Sequence, residues 1–261
     1  MNEYTAEKIV IGRLSYLNVL PFFAGNTFEQ QALITADPRT LGLALRVGNV
    51  SAAAIPIVDI WRFSAHINPL EDLGIATRVK ANSVLLFSKQ PPETLNGKPI
   101  IVTSESSTSV RLLWLLLREQ WQIESPQLVR GIADQQPRLL IGDAALTQRQ
   151  PLEQAGYTVY DLAEIWYHAT GYPFVFAQWA THRSVETPVC QALAERLREA
   201  LARNLSNLAT LYQPAEHTFL TKAELVTYLS QFIYQFSSAE REGMQYFKTK
   251  VLEYGLLDTD L

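Results

Sequence analysis

A run of small hydroxyl side chains precedes a strongly apolar helical pattern. Residues 103–109 read TSESSTS, and the helix predicted after them reads VRLLWLLLREQW. The first N–H groups of a helix have no partner within it and lie at its positive end, where they bind anions. The run from Thr103 to Ser109, which ends in Ser107, Thr108 and Ser109, is therefore a candidate carboxylate cradle, and the absence of a GxxxxGK pattern argues against a nucleotide phosphate. The alternative is that these hydroxyls only cap the helix.

Two polar side chains follow the first predicted strand. The strand KIVIGRL leads into Ser15 and Asn18 of the sequence SYLN. Open α/β sheets bind ligands at the carboxyl ends of their strands, and an amide side chain offers both donors and an acceptor. Both residues are therefore candidates for substrate binding, although either could instead cap the helix that follows.

Three further candidates border buried strands. Ser83 begins the strand SVLLFS, and Gly142 and Asp143 end the strand LLIGD. Residues at such positions line ligand sites in α/β proteins. Asp143 could orient a hydroxyl or accept a proton, but its charge would repel an anionic ligand, and capping of the next helix is the favoured interpretation.

The histidines and the single cysteine do not support metal or nucleophilic chemistry. His66, His168, His182 and His217 show neither HxH nor HxxxH spacing, and Cys190 has no indicated histidine partner. No GxSxG sequence is present. We therefore assign no metal and no cofactor.

Composition indicates a folded globular chain rather than a nucleic-acid-binding one. Of the 261 residues, 48% are hydrophobic and 18% are charged, and the formal net charge is -4. No Lys/Arg stripe could neutralise a phosphate backbone. The acidic chain start lacks the pattern of a signal peptide, and no apolar run reaches the ~20 residues that cross a bilayer. We expect a cytoplasmic protein whose partner is a small carboxylate, with no nucleic-acid or membrane partner.

Short apolar runs alternate with helical patterns, which predicts an α/β fold with largely parallel sheets. The continuous apolar runs VLLF and FVFA are expected to form central strands covered on both faces. Beyond residue 181 the pattern is mainly helical, with one helix predicted from Pro188 to Leu211 and two more after Lys222.

The Pro- and Gly-rich stretch QPPETLNGKP, residues 90–99, predicts a lobe boundary near residue 89. A return crossing near residue 180 would place the helical tail back on the first lobe. The prediction is a discontinuous lobe one of residues 1–88 and 181–261 with an inserted lobe two of residues 89–180. A ligand is then expected in the cleft between the lobes, which hinge closure could seal.

Several ordered segments together resemble the chorismate dehydratases of the futalosine menaquinone pathway. These segments are IGRLSYLNVLPFF, SVLLFS, SESSTSVRLL, LLIGDAAL and DLAEIWYHATGYPFVFAQWA. The C-terminal AEREGMQYFKTKVLEYGLL is similar to the last helix of that family, so the resemblance covers nearly the whole chain. The later pathway enzyme carries a cysteine- and proline-containing first motif, so SYLN favours the dehydratase branch.

The resemblance implies an α/β, two-lobed type II periplasmic-binding-protein-like fold with the ligand cleft between the lobes. It implies a carbon–oxygen lyase (hydro-lyase) that removes water from chorismate to give 3-[(1-carboxyvinyl)oxy]benzoate. Asn18 and Ser83 match the family's proposed active-site polar pair, and residues 107–109 match its carboxylate cradle. The chain departs from common family patterns at Ile57 and Ser107, and the catalytic base is unassigned.

Two other functions fit the same sequence. One is a non-catalytic cytoplasmic binding protein for a small aromatic or cyclic carboxylate, because this fold commonly captures ligands without reaction. The other is the later dihydroxynaphthoate-forming enzyme of the same pathway, whose larger bicyclic substrate would need a roomier site.

Overall fold

The structure is a computed structural model, and it describes residues 9–131, 136–216 and 219–259. The chain forms two compact units, each built from two segments. Unit one comprises Met1–Ile75 and Ala177–Phe236, and unit two comprises Ala76–Phe176 and Ser237–Leu261. Within the described ranges no helix is long and apolar enough to span a membrane. The acidic chain start and His217 lie outside the described residues.

Unit one is organised around a six-stranded sheet. Its strands are β1 (Val10–Leu14), β2 (Ala32–Ala36), β3 (Ala52–Pro56), β4 (Ile67–Thr77), β10 (Phe174–His182) and β11 (Phe232–Gln235). Their order across the sheet is β11-β4-β10-β3-β1-β2. Strand β1 pairs parallel with both β2 and β3, whereas β10 runs antiparallel to β3. Because β1, β2 and β3 are parallel, all three end at the same edge of the sheet.

Helices accompany this sheet, and two of them begin at a clear capping signal. They are α1 (Leu20–Phe23), α2 (Pro38–Arg46), α3 (Ile57–Arg62), α7 (Thr187–Leu205) and α8 (Lys222–Ser230). The Asp37 carboxylate caps α2 by accepting from the Thr40 N–H at 3.0 Å, and Pro38 occupies the first turn. The Thr221 and Glu224 side chains form a capping box at the start of α8. The predicted helix from Pro188 ends at Leu205, and a short 3-10 turn at Leu208–Leu211 follows.

Unit two is organised around a five-stranded mixed sheet. Its strands are β5 (Val84–Ser88), β6 (Pro99–Val102), β7 (Gln127–Arg130), β8 (Arg138–Ile141) and β9 (Thr158–Asp161), in the order β7-β6-β8-β5-β9. Strand β6 is parallel to β7 and β8, but β5 is antiparallel to β8 and β9. The expectation of largely parallel sheets therefore holds only for part of each sheet. The apolar runs do form interior strands as predicted, since all five residues of β5 are buried.

The helices of unit two share an aromatic core. They are α4 (Ser107–Glu119), α5 (Gly142–Gln154), α6 (Leu162–Thr170) and α9 (Ser238–Glu253). The Trp166 ring on α6 lies edge-on to Phe174 at 5.4 Å and to Phe247 of α9 at 5.7 Å. Trp166 is 1% exposed, so it packs the core of this unit rather than facing solvent.

The unit boundaries differ from the predicted ones at β5 and at the C-terminus. The prediction placed residues 84–88 and the whole helical tail in lobe one, but β5 lies between β8 and β9, and α9 belongs to unit two. The Pro- and Gly-rich stretch is only the loop from β5 to β6 within one sheet. A local breaker signal marks a loop without showing which strands it joins. Strand β11, between α8 and α9, was also not predicted.

A glycine allows two strands of unit one to approach closely. A Cβ added to Gly74 in β4 would lie 2.3 Å from the Ala177 carbonyl oxygen of β10 and 2.4 Å from the Phe236 ring. Such distances are far inside van der Waals contact, so only a residue without a side chain fits between these elements.

Candidate functional site

Four chain segments meet at one edge of the five-stranded sheet in unit two. Parallel strands β6 and β8 both end there. Strand β5 begins there because Val84 pairs with Ile141, and β9 ends there because Asp161 pairs with Leu85. This edge carries Ser83, Gly142 and the loop into α4, so the sheet topology brings together sequence candidates that are far apart along the chain.

The serine hydroxyls at the start of α4 differ in their hydrogen bonding. Ser106 is the N-cap, and its Oγ accepts from the Ser109 N–H at 3.1 Å. The Ser106 hydroxyl also donates to the Ser109 Oγ at 3.2 Å, which occupies the Ser109 side chain. Ser107 is 1% exposed, and its Oγ has no hydrogen-bond partner among the described residues. Capping therefore accounts for Ser106 and leaves the Ser107 hydroxyl available at the positive end of a helix.

Ser83 lies in a tightly defined backbone environment. Its side chain is buried, and its Oγ donates to the Ala81 carbonyl at 3.2 Å. The Gly142 N–H donates to the Ser83 carbonyl at 2.8 Å. Asn82 and Gly142 both adopt left-handed backbone angles, with φ of 54° and 57°. Two unusual backbone conformations thus flank the position of Ser83 at the sheet edge.

Asp143 lies inside the first turn of α5 rather than at its N-cap. The N-cap position is Ile141, which makes no side-chain capping bond. The Asp143 side chain is partly buried near the positive end of the helix. The structure therefore places Asp143 beside Gly142 at the same sheet edge as Ser83.

Asp161 is a buried carboxylate at this edge that sequence reasoning missed. It is 8% exposed, and it accepts hydrogen bonds from four backbone N–H groups, those of Ala81, Asn82, Ala163 and Glu164. Burial raises the pKa of Asp161, and the four N–H donors partly oppose this shift. The sequence shows only an ordinary helix-capping Asp before LAEIW, because the contact to Ala81 spans 80 residues.

Arg111 joins the first turn of α4 to the C-terminal segment through hydrogen bonds. It is 1% exposed, and its guanidinium donates to the carbonyl oxygens of Ser107 at 3.0 Å, Leu256 at 2.7 Å and Thr259 at 2.7 Å. The C-terminal segment is therefore bound to the helix turn that carries the candidate cradle. The apolar helical pattern around Arg111 contains no signal for this contact.

A cavity of about 530 Å³ opens within unit two beside the loop that leads into α4. Its lining includes the hydroxyls of Thr103 and Ser104, the guanidinium groups of Arg130 and Arg138, and the carboxylate of Glu105. The two positive charges outnumber the single negative charge. The lining chemistry therefore suits a polar, anionic group.

In unit one, Ser15 and Asn18 lie just beyond the end of β1. The exposed Ser15 donates its backbone N–H to Ala36 O at 3.1 Å, which ties it to the end of β2. Asn18 lies in a 3-10 turn, Leu17–Val19, whose N-cap Tyr16 makes no side-chain capping bond. The N-cap of α1 is Val19, which makes none either. The capping interpretation is therefore wrong for both residues.

The Asn18 amide is incompletely satisfied. Its Oδ1 is buried and has no hydrogen-bond partner in the part of the chain that the structure describes. A buried polar atom without a partner costs free energy, on the order of 1–3 kcal/mol. A ligand that donates to this oxygen would recover that cost.

No metal-binding arrangement is found among the described residues, where no group of three or more His, Cys, Asp or Glu side chains could hold an ion. The groups present at the two sheet edges are hydroxyls, amides, backbone N–H groups and carboxylates. At each edge, the hydroxyls, amides and backbone N–H groups can donate hydrogen bonds to an anionic ligand.

Comparison with known proteins gives a consistent family match. A family model described as menaquinone biosynthesis matches residues 9–253. The curated chorismate dehydratase of Thermus thermophilus is 29% identical over 256 residues. That match covers 91% of this chain and 93% of the relative.

Solved structures show the fold. The crystal structure of protein AF1704 from Archaeoglobus fulgidus matches with a TM-score of 0.78 at 16% identity, covering 97% of this chain and 100% of that one. The alkanesulfonate-binding protein SsuA from Xanthomonas axonopodis pv. citri, bound to MOPS, matches with a TM-score of 0.67 at 12% identity, covering 97% and 95%. A Candida albicans gene product with the generic periplasmic binding protein fold also matches with a TM-score of 0.67, at 10% identity, covering 97% and 92%. The predicted periplasmic-binding-protein-like fold is confirmed, and the ligand cleft stays a prediction.

Proposed function

Because the chain belongs to the menaquinone biosynthesis family, we propose that it is a chorismate dehydratase, the activity named for the Thermus thermophilus relative. The reaction is an elimination by a hydro-lyase. The ring carbon that bears the enolpyruvyl ether loses a proton, and the neighbouring carbon loses its hydroxyl. These leave as water, and the ring becomes aromatic in 3-[(1-carboxyvinyl)oxy]benzoate.

The unsatisfied buried polar atoms are the structural observation that supports this proposal. Ser107 Oγ and Asn18 Oδ1 are both buried without hydrogen-bond partners among the described residues. Each lies just beyond a strand end, where α/β proteins of this kind bind ligands. Ser107 offers a hydroxyl donor beside a positive helix end, which suits a carboxylate. Asn18 Oδ1 offers an acceptor, which suits the hydroxyl of the ring.

The remaining candidates are assigned supporting roles. Thr108 belongs to the same first turn of α4 as Ser107, so its backbone N–H lies at the anion-binding end, whereas the Ser109 N–H already donates to the Ser106 Oγ. Ser83 is assigned to hold the ring and the leaving hydroxyl, together with Asn18. Gly142, Asp143 and Ser15 are assigned to substrate binding. Aromatisation makes the elimination strongly favourable overall, and the residues contribute to the rate by positioning the reacting groups.

The direct test is to mix purified protein with chorismate, without added metal or nucleotide, and to follow the enolpyruvyl-benzoate product by chromatography. Wild type is compared with Asn18→Ala, Ser83→Ala and Ser88→Ala variants. Ser88 is a matched control because it is a buried serine at the far end of β5, whereas Ser83 directly precedes the first residue of that strand. Its Oγ donates to the Gln90 carbonyl at 2.6 Å, away from the candidate site.

Product formation by wild type and Ser88→Ala, with loss of activity in folded Asn18→Ala and Ser83→Ala, would support the dehydratase and its site. A folded wild type that forms no product would refute the dehydratase. If chorismate still raised the melting temperature of that inactive protein, the non-catalytic binding protein would replace it.

A further inference from the structure

Asp161 makes more contacts than a helix cap requires. Oδ1 accepts from the Ala163 N–H at 3.0 Å and the Glu164 N–H at 3.3 Å, which is ordinary capping of α6. Oδ2 accepts from the Asn82 N–H at 2.7 Å and the Ala81 N–H at 3.1 Å, and the Ala81 N–H also donates to Oδ1 at the longer distance of 3.4 Å. One carboxylate therefore joins the start of a helix to a loop that lies about eighty residues earlier in the chain.

This loop leads directly to the Ser83 hydroxyl. The Ala81 residue donates its N–H to Asp161 and accepts the Ser83 Oγ–H on its carbonyl. Two successive hydrogen bonds, both through Ala81, thus link the Asp161 carboxylate to the Ser83 hydroxyl. Fixing Ala81 fixes the acceptor at which that hydroxyl is aimed.

Asn82 shows that this segment needs to be held. Its φ of 54° lies in the left-handed region, which non-glycine residues seldom adopt. The shortest bond of Asp161 is to the N–H of this residue. Arg149 on α5 holds the Asn82 side chain as well, donating to Oδ1 at 3.2 Å. Asp161 and Arg149 therefore fix both the backbone and the side chain of the residue directly before Ser83.

We infer that Asp161 is a positioning residue, which sets the orientation of the Ser83 hydroxyl by holding the backbone of Ala81 and Asn82. This inference rests on the proposed function for its catalytic consequence. It does not require Asp161 to touch substrate. It gives Oδ2, which accepts from the Asn82 N–H, a role that is separable from the capping of α6.

The two roles are separated by an Asp161→Ser variant. Serine caps helices about as well as aspartate, but its single, shorter-reaching oxygen cannot serve α6 and the Ala81–Asn82 backbone together. Ser237→Ala is the matched control, because Ser237 caps α9 in the same unit by accepting from the Ala239 N–H at 3.2 Å. That variant loses a helix cap and leaves the Ser83 segment intact.

Two measurements decide the inference. Amide hydrogen exchange at Ala81 and Asn82 is expected to speed up about tenfold or more in Asp161→Ser and to stay unchanged in Ser237→Ala. For the reaction, Asp161→Ser is expected to lower kcat about tenfold or more with little change in KM, because a misplaced group loses transition-state contact. In a Ser83→Ala background the same substitution should change kcat little, since the group being positioned is gone.

Unchanged exchange at Ala81 and Asn82 would overturn the inference, whatever the activity. An equal loss of kcat with and without the Ser83 hydroxyl would also overturn it, because Asp161 would then act through general stability. A wild type that forms no product refutes the dehydratase instead, and the bridging role of Asp161 still stands or fails on the exchange rates.

Discussion

The backbone N–H of Gly142 lies 2.8 Å from the carbonyl oxygen of Ser83 and donates a hydrogen bond to it. This bond joins the residue after β8 to the residue before β5 in the sheet of unit two. Gly142 adopts a φ of 57° to make it. The hydrogen bond therefore depends on a backbone conformation that side chains disfavour.

Gly142→Ala is expected to lower stability by about 1–2 kcal/mol, the cost of a left-handed alanine, and to lower activity as well. Activity should fall because relaxation of the backbone would move the N–H away from Ser83. Gly156→Ala is the control, since Gly156 has a φ of 84°, and a Cβ there would meet nothing within 4 Å. Denaturant unfolding and kcat are measured for both. Equal activity in the two variants would contradict the role given to Gly142.

Ser107→Ala and Ser106→Ala are expected to separate binding from stability. The Ser107 Oγ has no partner among the described residues, so its loss should change stability by less than about 0.5 kcal/mol. It should raise the KM for chorismate about tenfold, through loss of a hydrogen bond to a charged group. Ser106→Ala removes the α4 cap and should cost about 1 kcal/mol of stability. A KM unaffected by Ser107→Ala would remove Ser107 from the site.

The stability difference between wild type and Asp161→Asn is expected to depend on pH. Burial raises the pKa of Asp161, so the folded protein binds a proton there more readily than the unfolded chain does. Wild type should therefore gain stability relative to Asp161→Asn as the pH falls from the pKa of Asp161 in the folded protein to its lower pKa in the unfolded chain. That gain is lost as the pH rises through the pKa of the folded protein. Denaturant unfolding of both proteins from pH 7 to pH 4 checks the sign. A difference that moves in the opposite direction would mean that the N–H donors outweigh burial.

Arg111→Met is expected to destabilise the protein by about 2–3 kcal/mol, because it leaves buried carbonyl oxygens of the C-terminal segment without donors. The control is Arg118→Met on the same helix, where the guanidinium donates to the Ile123 and Glu124 carbonyls at a more exposed position. That variant should cost about 1 kcal/mol or less. Thermal and denaturant unfolding give both values, and similar losses would contradict the importance of the buried site.

Gly74→Ala is expected to be severely destabilising, by at least about 2 kcal/mol, because its Cβ would overlap the Ala177 backbone, which cannot rotate away. Gly97→Ala serves as the control, since a Cβ there meets nothing within 4 Å and only its φ of 72° opposes alanine. Expression yield and denaturant midpoint are the measurements. A Gly74→Ala protein as stable as wild type would show that β4 and β10 can separate.

The start of α4 shows which features of the site a local sequence pattern predicted and which it did not. The hydroxyl run before α4 predicted a helix start, and α4 begins at Ser107. The same signal could not say that Ser106 would use the capping bond and leave the Ser107 Oγ without a partner among the described residues. Capping depends on a one-residue difference in where the helix begins, and only the packed structure sets that position.

The sequence by itself determined the α/β character, most helices, the buried strands and the family resemblance, because propensities, apolar patterns and motifs are properties of short windows. Only the tertiary structure decided that β5 and α9 join unit two and that Asp161 holds the segment before Ser83. It also decided that Arg111 binds Leu256, 145 residues away. Such contacts depend on which surfaces pack together when the whole chain buries its apolar side chains, and no short window contains that information.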